Sequence, residues 1–169
     1  MGTTITMPQA KLEVVLWQAD ADMVSSSDLY IRLTEMGLPS EVAIRLKELL
    51  EIVKAIGGRV ISIGKIIVIK LIEFIERHPN LATGMALGAA VSSLIASIPF
   101  LGPILAPIAM LLGIAIGGIA GHRVDKAQGG KMDGDLGTIA IAQDVIEIAR
   151  AFFQLFIDTL TAVSAAFDQ

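Results

Sequence analysis

Residues able to do chemistry are few in this chain, and their spacing does not assemble them. There is no cysteine, which removes thiolate nucleophiles, disulfides and most zinc sites at once. The two histidines are His78, next to a proline, and His122, beside Arg123 and Asp125. Neither has the neighbours of a metal site or a nucleophile–base–acid triad. His122 has the intrinsic chemistry of a pH sensor, although an ordinary interfacial histidine is the simpler reading. Gly129-Gly130-Lys131 carries part of a phosphate-binding loop, but Met132 stands where Ser or Thr is required and the first glycine is missing. Asp133 and Asp135 suggest calcium, yet no later glutamate completes the loop, so a solvated turn is the better reading. The expectation is a protein that is not an enzyme, with no catalytic residue, cofactor or metal.

What the chain has instead is apolar surface. Hydrophobic residues make up 54% of its 169 positions, glycine supplies another 16, and mean hydropathy is +0.71. That exceeds the usual share for a globular domain and implies a second solvent, namely lipid. Thirteen basic residues against 17 acidic ones leave a net charge of −4, which is wrong for a nucleic-acid binder. Residues 1–11 carry Lys11 as their one cation and no basic-then-apolar pattern, so no secretory signal is expected and synthesis is expected in the cytosol.

The strongest pattern is a run without Asp, Glu, Lys or Arg over residues 80–121. Ile98-Pro99-Phe100-Leu101-Gly102-Pro103 divides it into arms at 81–98 and 104–121, with Pro99, Gly102 and Pro103 as the hairpin tip. Each arm, at about 27 Å, nearly matches a hydrocarbon core of about 30 Å. The second arm has eight Leu and Ile, enough for about −2.4 to −4.8 kcal/mol of insertion energy. The first has fewer large aliphatics and carries Ser92, Ser93 and Ser97, so it relies on a partner helix. Gly113, Gly117 and Gly121 repeat at four-residue spacing, as do Gly84 and Gly88. Such glycines share one helix face, where missing side chains let another backbone approach. The plainer reading is that glycine is common in membrane helices.

The elements that would position this hairpin flank it. Residues 59–77 read as one amphipathic helix. At about 100° per residue its polar side chains Arg59, Ser62, Lys65, Lys70, Glu73, Glu76 and Arg77 fall within about 140° of arc. That arc either snorkels at a membrane interface, faces neighbouring helices or a wet lumen, or belongs to a plain core helix in water. Ser62, Lys65, Lys70, Glu73 and Glu76 are its candidate pore-lining residues. Residues 138–167 read as a long helix with Asp144, Glu147, Arg150, Gln154 and Asp158 on a narrow stripe, packed beside the hairpin. Lysines and arginines on both sides of the hairpin, and none at its tip, place both feet in the cytoplasm.

The uncharged hairpin with its Pro/Gly tip and amphipathic flanks resembles the hydrophobic hairpin of colicin-type pore-forming domains. The Gly113–Gly117–Gly121 run is similar to the glycine zippers of membrane channel proteins. The resemblance covers residues 80–121 and brings no catalytic residues. Colicin-type domains surround the hairpin with more amphipathic helices than 169 residues supply, so it implies an oligomeric pore.

Residues 1–56 read as a cytosolic α/β cap: a short strand at 11–17, a turn at 20–27, and helices at 28–36 and 41–56 ended by Gly57-Gly58. Residues 57–169 form the membrane-associated helical region. The fold class expected is mainly α, a membrane-inserting hairpin flanked by amphipathic helices with a small α/β cap. The function expected is a self-associating pore or channel whose partners are the lipid bilayer and further copies of itself, with a protein partner for residues 1–56. Two alternatives stand beside it: a non-conducting membrane scaffold with a cytosolic interaction cap, and a soluble oligomeric bundle that buries the hairpin.

Overall fold

The computed structural model describes residues 5–56, 58–112 and 143–164. The described chain is mainly helical with one two-stranded sheet. In order, the elements are α1 (Met7–Asp22), α2 (Ser26–Glu35), α3 (Ser40–Leu49), β1 (Lys54–Ile56), β2 (Arg59–Ile61), α4 (Ile63–Arg77), α5 (Thr83–Ser97), α6 (Leu101–Leu111), α7 (Gln143–Phe152) and α8 (Gln154–Val163).

The expected strand at 11–17 is helix. Thr6 caps α1 by accepting from the Gln9 backbone N–H, while the Gln9 side chain accepts from the Thr6 backbone N–H at 3.1 Å. This capping box satisfies two of the amide donors that a helix start leaves open. Ser25 starts α2 in the same way, accepting from Asp28 N at 3.0 Å. Gly37, at φ +84°, supplies the left-handed residue that ends α2.

The helix expected over 41–56 stops at Leu49, and β1 pairs antiparallel with β2, Lys54 opposite Ile61 and Ile56 opposite Arg59. Gly58, at φ +82°, takes the turn position that side chains avoid. The helix expected over 59–77 therefore begins only at Ile63. Gly64 lets α4 start against the end of α3. Its N–H donates to the Ile52 carbonyl at 3.0 Å, and a Cβ in its place would overlap the Leu49 carbonyl oxygen.

Helix α5 is the centre of the bundle. Every residue of 86–94 is buried, and α4, α6 and α7 pack around it. An aromatic row, Phe74, Phe152, Phe153 and Phe156, runs beside it with successive ring centroids 5.1–6.2 Å apart and ends on Trp17, 5.0 Å from Phe156. The row ties α4, α7 and α8 to α1. Burying each such ring or large aliphatic chain contributes about 1.5–3 kcal/mol, so these contacts dominate the packing.

The membrane expectation is corrected here. Among the described residues no helix is long and apolar enough to cross a membrane. The 15 residues of α5 reach about 22 Å and the 11 of α6 about 16 Å, short of a hydrocarbon core of about 30 Å. Insertion through a transmembrane hairpin with cytoplasmic feet, and the channel built on it, are not supported. The physical reason for the misreading is that a helix without a water-facing side avoids charge whether lipid or protein surrounds it. For α5 that surrounding is protein. Residues 113–121 of the second arm lie outside the described residues.

The helix expected over 138–167 is α7 followed by α8, with Phe153 leaving the helical conformation at φ −93°, ψ 11° between them. Its ends at 138–142 and 165–167 lie outside the described residues.

Candidate functional site

The polar arc of α4 is turned towards α1 and α2. Ser62, just before α4, donates its backbone N–H to Gln18 Oε1 at 2.7 Å, and its hydroxyl accepts from Gln18 Nε2 at 3.2 Å. Two turns on, the Lys70 ammonium lies 5.1 Å from the centroid of the Trp17 ring and 3.7 Å from Glu73 Oε1. At the end of the helix Glu76 accepts from Arg32 of α2 at 2.7 Å. Three of the five candidate pore-lining residues thus reach α1 or α2, and Glu73 is held by Lys70. Lys65 is half-buried with no ion pair among the described residues.

Between these three helices opens a cleft of about 340 Å³. Trp17, Ile66 and Ile69 give it an apolar wall, and Asp20, Arg32, Lys70 and Glu73 give it two charges of each sign. Met23, 83% exposed, stands at its edge. A recess with an apolar wall and mixed charges suits a protein side chain better than an anion, a metal or a nucleotide, each of which needs one sign concentrated. Among the described residues no group of three or more His, Cys, Asp or Glu lies together to hold a metal.

The other sequence candidates fall elsewhere. Gly88 lies in the buried run of α5, whereas a Cβ on Gly84 would meet nothing within 4 Å. Pro99 is in the turn after α5, and Gly102 and Pro103 belong to the first turn of α6. His78 closes α4, its Nδ1 donating to the Phe74 carbonyl at 2.9 Å with the ring 4.4 Å from that of Phe74. That is a capping role. Gly113, Gly117, Gly121, His122, Lys131, Asp133 and Asp135 lie outside the described residues.

Sequence reasoning missed the part of the cleft that α1 and its C-cap supply: Trp17, Asp20 and Met23. The signal was present in Thr6 and Gln9, three apart, which form a capping box ahead of an apolar stretch.

No family model, curated protein or solved structure matches the chain. The likeness to hydrophobic-hairpin domains therefore rests on the residue pattern alone.

Proposed function

We propose that the chain is a protein-interaction module: a helical bundle that folds around its own charge-free hairpin arm and binds other protein through α1, α2 and α4. The all-round burial of residues 86–94 carries this reading. A helix enclosed by α4, α6 and α7 has no face left for lipid, and extracting it would break the core that holds the other helices. The working surface is then the outside of the bundle. Large apolar side chains are exposed there in a group on α1 and its C-cap, with Leu12 at 57%, Leu16 at 50% and Met23 at 83%. Exposed apolar groups gathered on one helix mark a contact surface.

The test is purification without detergent followed by addition to liposomes holding a potassium gradient and a trapped dye. A discrete species on size exclusion that leaves both gradients intact is expected. Release of dye or potassium would overturn the reading.

A further inference from the structure

Helix α1 has two apolar faces. Ala10, Val14, Trp17 and Ala21 form the buried one. At about 100° per residue, Leu12, Val15, Leu16, Ala19 and Met23 fall within about 100° of arc on the opposite side. All five are exposed, Val15 least of the large ones at 39%. The ridge from Leu12 to Met23 is about 17 Å long, or three turns, the footprint of one partner helix.

The charges beside the ridge say what kind of helix. One edge carries Glu13 and Asp20, seven residues apart and therefore on nearly the same line of the helix. Among the described residues neither carboxylate has an ion pair or side-chain hydrogen bond. The other edge carries Lys11 and Asp22, whose charges cancel, and Asp22 already accepts from Gln18 at 2.8 Å. The cations that line the cleft with Asp20, Arg32 and Lys70, are engaged by Glu76 and by Trp17 with Glu73. The ridge therefore presents one uncompensated acidic border. A second copy of the chain is poorly matched to it. An antiparallel pair of α1 helices sets Lys11 against Asp22 on one edge but Glu13 against Asp20 on the other.

We propose that the α1 ridge docks an amphipathic helix of another protein, whose apolar stripe lies on Leu12, Leu16, Ala19 and Met23 and whose basic residues, seven apart, face Glu13 and Asp20. This deepens the interaction-module reading and rests on it. The apolar stripe supplies the affinity by burial, and the two charge pairs set orientation and partner choice.

The experiment uses the full chain and two labelled synthetic helices with leucines at heptad a and d positions. One carries lysines seven apart along one edge, and its twin carries glutamates there. Fluorescence anisotropy is expected to give the lysine peptide about tenfold tighter binding than the glutamate peptide, narrowing as salt rises. Leu16→Glu, at an exposed position, is expected to remove binding with the helical circular dichroism unchanged. The double variant Glu13→Lys with Asp20→Lys is expected to reverse the preference. Equal binding of both peptides, no binding, or binding indifferent to Leu16→Glu would overturn the proposal. So would a concentration-dependent dimer of the chain that Leu16→Glu abolishes, because the ridge would then be occupied by a second copy. Peptide failure with intact liposome gradients sinks this proposal alone, whereas leakage sinks the interaction-module reading itself.

Discussion

The Lys70 ammonium lies 5.1 Å from the centroid of the Trp17 ring, joining the polar arc of α4 to the buried face of α1. Trp17 is 7% exposed and its ring also lies 5.0 Å from that of Phe156, so one side chain links three helices. The cation–π contact itself is worth about 0.5–1 kcal/mol at a partly exposed site, and the burial of the indole is worth more. Trp17→Ala is therefore expected to cost about 3–5 kcal/mol in urea unfolding, whereas Lys70→Met costs less than about 1 kcal/mol. Comparable losses for the two variants would contradict this ranking.

Two glycines should respond in opposite directions to the same substitution. Gly64→Ala drives a methyl into the Leu49 carbonyl, where backbone must move, and is expected to destabilise by more than about 2 kcal/mol. Gly84→Ala adds a methyl in open space on α5 and is expected to stabilise by up to about 1 kcal/mol. Thermal or urea melts of the pair decide it, and a loss at Gly84 would mean a neighbour approaches that face.

Thr159 is fully buried in α8 and its Oγ1 has no hydrogen-bond partner among the described residues. Burying an unpaired hydroxyl costs about 1–3 kcal/mol. Thr159→Val, which keeps the branched shape, is expected to raise unfolding free energy by about 1 kcal/mol. A loss of stability would show that the hydroxyl is satisfied in solution.

The Thr6 cap gives a local prediction. Thr6→Ala removes the acceptor for Gln9 N and is expected to cost about 1 kcal/mol, with Thr6→Ser nearly neutral. Faster amide exchange confined to the first turn of α1 is the accompanying signature.

Parts of this architecture were legible in the residues. The serine cap before α2, Gly37 after it and the His78-Pro79 break after α4 are local signals, and each lies at an element boundary. Helix α1 was not legible as an amphipathic helix because its apolar residues fall on two opposite faces and cancel, leaving the short alternation at 11–17 to suggest a strand. Gly58, before Arg59, is a turn glycine of the hairpin, whereas a Gly57-Gly58 pair after an apolar helical pattern equally suggests a helix end. Absence of charge in 80–121 did not separate lipid from protein surroundings, because either solvent excludes ions from a fully enclosed helix. Of the cleft, Lys70 and Glu73 lie on the polar arc that the spacing marks, although that spacing suggests a pore lining. What they face was not legible, because the alternation at 11–17 suggests a strand where α1 stands.

The central claim is that α5 is the core of a helical bundle, enclosed by protein. Hydrogen–deuterium exchange of the full chain in detergent-free buffer tests it most directly. The account predicts that the amides of residues 86–94 are among the slowest to exchange, and that added lipid vesicles leave them unchanged. Rapid exchange of that segment in buffer, with protection arising only when vesicles are present, would contradict it.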